Sequence, residues 1–131
     1  MTVLTPASGS RARIARAFAD PAQLVVVSLC AAWCDTCDVF RAGYEQLAHA
    51  RPDIAFVWLD IEDDAAIAGD VEVENFPTLA IYRGTKPLHF GVALPHATTV
   101  GRLIDALAAR GEPQRETPEA VQALPGKFTA R

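Results

Sequence analysis

Apolar residues fall along the chain in two kinds of pattern, which predict strands alternating with helices. Residues 23–29 and 54–59 are apolar runs without period-two alternation, and such runs are typical of central strands covered on both faces. Residues 78–82 and 88–92 predict two further strands, and the turn-forming residues between them indicate a hairpin. A short first strand is predicted over residues 2–4.

Helical spacing of apolar residues separates these strands. Ile14 and Phe18 stand four positions apart in a short amphipathic segment, and a longer helix is predicted up to about residue 50. A short helix over residues 65–69 and a last helix from residue 98 or 99 complete the order βαβαβαββα. Strand–helix alternation implies parallel crossovers, and the late hairpin adds antiparallel strands, so we expect a mixed sheet between helices.

The composition changes after residue 110. Residues 111–131 hold three of the nine prolines, which predicts a loosely held, partly disordered C-terminal tail outside a domain formed by residues 1–110. Within this tail, the sequence Thr117-Pro118-Glu119 favours a stub helix that carries Val121 and Leu124.

Overall composition limits the classes of function. The chain has 131 residues, 50% of them hydrophobic, and a formal net charge of −4, which suits one globular domain and gives no electrostatic basis for binding nucleic acid or an anionic membrane. No apolar run approaches the roughly 20 residues of a membrane-spanning helix. The N-terminal residues lack the pattern of a secretory signal, so a cytoplasmic location is expected.

The three cysteines, Cys30, Cys34 and Cys37, lie within eight residues of one another. This clustering excludes a disulfide-rich scaffold and indicates chemistry instead. The Cys34-x-x-Cys37 pair follows a predicted buried strand and begins a predicted helix, where unpaired N–H groups favour an anionic sulfur. We therefore expect Cys34 to attack a substrate disulfide and Cys37, deeper in the helix, to resolve the mixed disulfide.

Other interpretations of the cysteines are weaker. The spacing C-x3-C-x2-C also occurs in iron–sulfur enzymes that use S-adenosylmethionine, but those need a much larger barrel than this chain can form. A zinc site lacks a clear fourth ligand, because the three histidines have no ligand-like spacing. For Cys30 we expect a small buried apolar residue at a strand end, with a regulatory third thiol as the alternative.

Two motifs together resemble those of the thioredoxin family. The run Ala32-Trp33-Cys34-Asp35-Thr36-Cys37 is followed some forty residues later by Phe76-Pro77-Thr78, and the predicted element order matches the family from residue 2 to about 110. The resemblance implies a thioredoxin fold, with a central mixed sheet of four to five strands flanked by helices on both faces. It also implies protein disulfide exchange without a metal or organic cofactor, with electrons supplied by a separate reductase or a small thiol to a monomeric protein.

The resemblance also assigns roles to particular residues. Cys34 would be the nucleophile, Cys37 the resolving cysteine and Pro77 a cis-proline packed beside the pair. The backbone of Phe76 would pair with an extended substrate peptide. The apolar contact surface around the sulfurs would consist of Trp33, Phe76, Gly91, Val92 and Ala93.

The sequence departs from the common family pattern at the residues that handle protons. Asp35 and Thr36 stand between the cysteines, where Gly-Pro is frequent in the family. Ser28 occupies the position of a buried Asp that many family members have. Trp58, which we expect in the core, occupies the position of a Lys that often accompanies this Asp. Because Ser is no base near neutral pH, we expect Cys37 to lose its proton through water or to Asp35, and resolution to be slow. A dedicated partner-binding module with weak redox activity is therefore the alternative function, and a metal-binding cysteine cluster a weaker one.

Overall fold

The computed structural model describes residues 3–6, 10–110 and 117–129. Within these ranges the chain forms five helices and four strands. In chain order they are α1 (Arg11–Ala19), β1 (Leu24–Cys30), α2 (Asp35–Ala50), β2 (Ala55–Asp60), α3 (Ala65–Ala68), β3 (Thr78–Arg83), β4 (Lys86–Val92), α4 (Ala97–Arg110) and α5 (Glu119–Thr129). None of these helices is both long and apolar enough to cross a membrane.

The four strands form one mixed sheet in the order β2-β1-β3-β4. Strand β1 pairs in parallel with β2, and it pairs antiparallel with β3, which continues through a hairpin into β4. Gly84 allows the tight hairpin turn because its φ is +58° and a Cβ there would lie 2.9 Å from the Cα of Pro21. The predicted mixed sheet is confirmed.

The predicted first strand is only partly described. Thr2 lies outside the described residues, whereas Leu4 forms an isolated parallel bridge with Val57. The N–H of Leu4 donates to the carbonyl of Phe56 over 2.8 Å, and the carbonyl of Leu4 accepts from the N–H of Trp58 over 2.9 Å. Leu4 thus extends the pairing beside β2 without adding a full strand.

The sheet is covered on both faces by apolar cores, as the predicted fold requires. One core packs helices α1, α3 and α5 against one face of the sheet, and the other packs α2 and α4 against the opposite face. Because successive strand residues point to opposite faces, Val25, Val27 and Leu29 belong to the first core, whereas Leu24 and Val26 belong to the second. Strand β1 is buried throughout, which explains its uninterrupted apolar run.

Helix α2 is anchored to the sheet by Tyr44. Its side chain is fully buried, and its hydroxyl lies 2.9 Å from the carbonyl oxygen of Val26 and 2.8 Å from that of Val57, to which it donates. Burial raises the pKa of this hydroxyl well above its ordinary value. The contact fixes α2 over β1 and β2, and so fixes the position of the residues at its N-terminal end.

Residues 117–129 differ from the loosely held tail that the composition predicts over residues 111–131, whereas residues 111–116 and 130–131 lie outside the described ranges. Over Glu119–Thr129 the chain is a helix, and Val121, Leu124 and Phe128 are buried in the same core as α1. The hydroxyl of Tyr82 on β3 donates to the carbonyl of Val121 over 2.7 Å. The predicted helix with Val121 and Leu124 is present, but it is part of the packed structure because these three apolar side chains complete one face of the sheet.

Candidate active site

The cysteine site lies where β1 passes into α2. Cys30 is the last residue of β1, and the following loop closes with a hydrogen bond from the N–H of Cys34 to the carbonyl of Ala31 over 3.1 Å. Cys34 is the N-cap residue of α2, and Cys37 lies in the first turn of the helix. Two of the cysteines therefore sit at the helix N-terminus, and the third sits on the adjacent strand end.

The structure pairs Cys37 with Cys30, not with Cys34. A disulfide joins Cys30 and Cys37 across a Cα–Cα distance of 5.9 Å, and Cys34 carries a free thiol. Cys30 is thus buried, as predicted. The prediction that it acts only as a small apolar residue is wrong, because its sulfur is bonded to that of Cys37. The physical reason is the strand period: Cys30 shares the face of Leu24 and Val26, which is the face that α2 covers.

Solvent exposure separates the three sulfur-bearing residues sharply. Cys30 and Cys37 are each 1% exposed, whereas Cys34 has intermediate exposure. Asp35 and Thr36, between the motif cysteines, are both exposed. A substrate in solution can therefore react directly with Cys34. It can react with Cys30 or Cys37 only by exchange through Cys34 or after the structure opens.

Ser28 lies beside the disulfide on the same face of β1. It is fully buried, and its hydroxyl lies 3.8 Å from the Sγ of Cys30, to which it donates. A hydroxyl at this position satisfies its hydrogen-bonding need without a charge, but it cannot accept a proton near neutral pH as a carboxylate would.

Trp33 and Phe76 meet at the surface beside Cys34, and Pro77, which follows Phe76 in the chain, is buried. The rings of Trp33 and Phe76 meet edge to face with centroids 5.5 Å apart, and the indole N–H of Trp33 donates to the carboxylate of Glu62. Trp33 is 65% exposed, and the Phe76–Pro77 peptide bond is cis. The contact joins the loop before α2 to the loop before β3, which carry the two sequence motifs.

The end of β4 adds apolar surface beside Pro77. Gly91 pairs with Leu79 and Val92 with Thr78, and the N–H of Ala93 donates to the carbonyl of Pro77 over 2.9 Å. Val92 is 58% exposed and Leu94 63% exposed. Exposed apolar side chains thus lie at the end of β4, beside the loop that precedes β3.

An acidic turn borders the buried side of the site. A cavity of about 300 Å³ is lined by Cys37, Trp58, Asp60, Asp63 and Asp64, among others. The carboxylate of Asp64 accepts from the N–H of Asp60 over 2.9 Å, and burial, followed by repulsion from Asp60 and Asp63, raises the pKa of Asp64. Carboxylates therefore share an opening with the buried Cys37.

Trp58 also lines this cavity and is only partly buried. The guanidinium of Arg41 lies over its ring at 4.7 Å from the centroid, and Phe40 and Tyr44 contact its rim. The expected core position of Trp58 is thus a boundary position, because the ring contacts two buried aromatic residues as well as the guanidinium of Arg41.

Metal binding finds no support in the described ranges. Within residues 3–6, 10–110 and 117–129, no three His, Cys, Asp or Glu side chains are grouped so that they could hold a metal ion. Cys30 and Cys37, two of the proposed cysteine ligands, are joined in a disulfide.

Sequence reasoning missed two contributors to the site. It did not predict a disulfide at Cys30. Alternate residues of a strand share one face, so the even-numbered residues of β1 could have placed Cys30 on the face toward α2. Sequence reasoning also did not single out Glu62, the partner of Trp33. No local sequence signal identifies Glu62, because the contact depends on how two loops meet.

These elements and the cysteine site at the start of α2 define a thioredoxin-fold domain. The sequence model described as thioredoxin matches residues 9–103, which is most of the chain. The chain belongs to the thioredoxin family.

Curated relatives agree with this assignment. Thioredoxin-2 of Saccharomyces cerevisiae is 37% identical over 70 residues, which cover 53% of this chain and 67% of the relative. Thioredoxin of Ophiophagus hannah is 27% identical over 67 residues, which cover 51% of this chain and 64% of the relative. The chain thus spans about two thirds of the length of these two relatives.

Solved structures show the same fold at lower identity. Thioredoxin NaTrxh of Nicotiana alata superposes with a TM-score of 0.67 at 18% identity, covering 80% of this chain and 91% of that chain. Thioredoxin f2, in a complex with ferredoxin:thioredoxin reductase, gives a TM-score of 0.66 at 23% identity, covering 83% and 96%. The expected thioredoxin fold is therefore confirmed.

Proposed function

We propose that this protein is a thiol–disulfide oxidoreductase that exchanges disulfides with protein substrates through Cys34. The observation that carries the proposal is the placement of a free, half-buried thiol at the N-cap of α2. Unpaired N–H groups and the helix dipole at this end favour the thiolate, which is the nucleophilic form. Membership of the thioredoxin family supports the same activity.

The proposed reaction takes place in two exchanges. The Cys34 thiolate attacks one sulfur of a substrate disulfide, so that a mixed disulfide forms and the first substrate thiolate leaves. Cys37, one helical turn away on the same side of α2, then attacks the sulfur of Cys34 and releases the second substrate thiolate. The substrate disulfide is reduced by two electrons, and the two protein thiols are oxidised to a disulfide.

The resolving step needs an acceptor for the proton of Cys37. Ser28 is no base near neutral pH, and the side chain of Asp35 is exposed, whereas Cys37 lines the same cavity as Asp60 and Asp64. We therefore assign the proton to water in this cavity, with the carboxylates nearby. The slower resolution expected from Ser28 stays a prediction.

The substrate-binding surface is proposed from the exposed apolar side chains near the site. Trp33 and Val92 present apolar surface, and Phe76 and Pro77 lie between the two elements that carry them. An extended peptide would pair with the backbone of Phe76, and Gly91 leaves room at the adjacent strand. A protein substrate suits a broad apolar surface of this kind better than a small molecule does.

The electron donor, location and oligomeric state complete the proposal. A fold relative is known in a complex with ferredoxin:thioredoxin reductase, which supports a separate reductase as donor here, with a small thiol as the alternative. A monomer in a reducing compartment such as the cytoplasm would keep Cys34 available as a thiol.

The test is an insulin-reduction assay with dithiothreitol as donor, repeated with a thioredoxin reductase. We expect the wild-type chain to reduce insulin and Cys34→Ser to lose the activity, because the other two cysteines, Cys30 and Cys37, are buried. Cys34→Ala serves as a second variant that removes the hydroxyl of serine. Equal turnover by the wild type and both variants would exclude the proposed role of Cys34.

A second candidate function is a partner-binding module with weak redox activity. The Cys30–Cys37 disulfide favours it, because Cys37 is then unavailable to resolve a mixed disulfide on Cys34. Insulin turnover near the uncatalysed rate, together with tight binding of a single client protein, would support this alternative.

A further inference from the structure

We infer that Cys30 is a third redox thiol, which takes over the disulfide from Cys34 and returns Cys34 to its free form. The inference rests on the proposed function and extends it from two cysteines to three. It starts from the observed pairing of Cys30 with Cys37 beside a free Cys34.

The fold places Cys37 within reach of both other cysteines. Cys34 and Cys37 stand three residues apart at the start of α2, and side chains at that spacing are neighbours on a helix. Cys30 faces α2 from the end of β1, and its Cα lies 5.9 Å from that of Cys37, inside the usual range for a disulfide. Cys37 is therefore the common partner in two alternative disulfides.

The proposed step is an internal thiol–disulfide exchange. After substrate reduction has left a Cys34–Cys37 disulfide, the sulfur of Cys30 attacks the sulfur of Cys37. The Cys30–Cys37 bond forms, the Cys34–Cys37 bond breaks, and Cys34 leaves as a thiolate. Cys30 gives up its proton to water as it attacks, and one disulfide replaces another, so the exchange needs no external oxidant or reductant.

Burial and hydrogen bonding favour the Cys30–Cys37 disulfide over the Cys34–Cys37 disulfide. A disulfide carries no charge and suits the apolar site where Cys30 and Cys37 are each 1% exposed. The hydroxyl of Ser28 donates to the Sγ of Cys30, so the buried hydroxyl keeps a partner when Cys30 is in the disulfide. The released Cys34 sits at the N-cap of α2 with intermediate exposure, where substrates in solution can reach it.

The exchange changes what the oxidised protein can do. The fully reduced chain acts as a dithiol, because Cys37 resolves the mixed disulfide on Cys34. The oxidised chain still offers Cys34 as a half-buried thiol, but Cys37 is held by Cys30. A second substrate disulfide attacked by Cys34 would therefore remain as a mixed disulfide until an external thiol releases it.

The first experiment locates the free cysteine in the oxidised full-length chain. The reduced protein is oxidised with one equivalent of diamide, quenched in acid, unfolded and labelled at mildly acidic pH with N-ethylmaleimide. It is then reduced and labelled with deuterated N-ethylmaleimide, so that free thiols carry the light label and disulfide-bonded cysteines the heavy label. Trypsin releases residues 17–41 as one peptide with all three cysteines, and fragmentation by mass spectrometry reads each position.

The label position decides the inference. We expect the light label mainly on Cys34 and the heavy label on Cys30 and Cys37. A light label mainly on Cys30 would mean that the Cys34–Cys37 disulfide persists, and it would overturn the inference. Cys30→Ala is the control for complete oxidation: its two remaining cysteines should pair, and its peptide should carry no light label.

The second experiment tests whether oxidation enters through Cys34. With insulin as the oxidant, we expect Cys34→Ser to form the Cys30–Cys37 disulfide at least 10-fold more slowly than the wild type, because a protein disulfide cannot reach two buried sulfurs. Equal rates would overturn the relay. Insulin reduction by the wild type tests the proposed function separately. If the wild type reduces insulin but the light label lies on Cys30, the proposed function stands and only the inferred role of Cys30 is wrong.

Discussion

At the scale of single residues, the site depends on three cysteines with very different surroundings. Cys34 is reachable from solvent, whereas Cys30 and Cys37 are enclosed between β1 and α2. Ser28 adds a hydroxyl to this enclosed region and no charge. The chemistry of the site therefore depends on which sulfur is bonded to Cys37 at a given moment.

Trp33 is the residue whose exposed ring best tests the substrate surface. We predict that Trp33→Ala raises KM for insulin by about 3- to 10-fold, because an aromatic or apolar contact between the exposed ring and the substrate would be worth about 0.5–1.5 kcal/mol. The reaction of Cys34 with a small aromatic disulfide should change little. Steady-state insulin reduction and stopped-flow thiol titration measure the two effects.

Trp33→Phe is the matched variant for this prediction. Phenylalanine keeps a ring against Phe76 but removes the N–H that donates to Glu62. KM for insulin should therefore lie between those of the wild type and Trp33→Ala. A parallel loss of reactivity toward the small disulfide would show instead that Trp33 acts on the thiol itself.

At the scale of elements, the turn after β2 concentrates negative charge beside the site. The carboxylate of Asp60 accepts from the N–H groups of Glu62 and Asp63, and that of Asp64 accepts from the N–H of Asp60. These hydrogen bonds shape the turn, while the charges repel one another. The same arrangement lines the cavity that reaches Cys37.

The raised pKa of Asp64 predicts a pH-dependent change in stability. Burial and the neighbouring carboxylates disfavour its charged form in the folded state, so stability present at low pH is lost as pH rises from the ordinary value of 3.8 through the raised one. Asp64→Asn should therefore stabilise the fold at neutral pH, by less than about 1 kcal/mol because the group is only partly buried and solvent screens the charges.

Urea denaturation at neutral pH and at a pH below the ordinary carboxyl value measures this effect. The gain in the free energy of unfolding should disappear at the lower pH, where Asp64 is neutral in both states. Glu72→Gln, an exposed acidic residue outside the turn, serves as the control and should change stability little at either pH. A stabilisation by Asp64→Asn that persists at low pH would contradict the electrostatic explanation.

At the scale of the whole molecule, helix α5 is an integral part of one core. Phe128 packs against Phe18 with ring centroids 5.6 Å apart, and Phe18 in turn meets Tyr82 at 5.2 Å. Arg11 also donates to the carbonyl of Lys127 over 2.6 Å. The C-terminal helix therefore fixes α1 and covers one face of the sheet.

Leu124 tests this role of α5. It is 1% exposed, and we predict that Leu124→Ala lowers the free energy of unfolding by about 2–5 kcal/mol, the usual cost of removing a buried leucine side chain. Gln122→Ala, on the exposed side of the same helix, should change it by less than about 0.5 kcal/mol. Urea denaturation followed by circular dichroism compares the two, and equal effects would show that α5 does not complete the core.

The sequence by itself determined the order of strands and helices, the two-sided burial of β1 and the position of the Cys34-x-x-Cys37 pair at a helix start. These features depend on local periodicity and on residue types that are adjacent in the chain, so they can be recognised before the chain is folded. The helix that begins at Glu119 was also predicted, from the sequence Thr117-Pro118-Glu119.

Only the tertiary structure decided which sulfur bonds to Cys37, which loop receives Trp33, and whether α5 packs on the sheet. Each of these depends on the face that a strand presents and on the height at which a helix crosses it, which are set by contacts between distant residues. Cys30 meets Cys37 because the core fixes α2 above the end of β1, and no spacing along the chain specifies that distance.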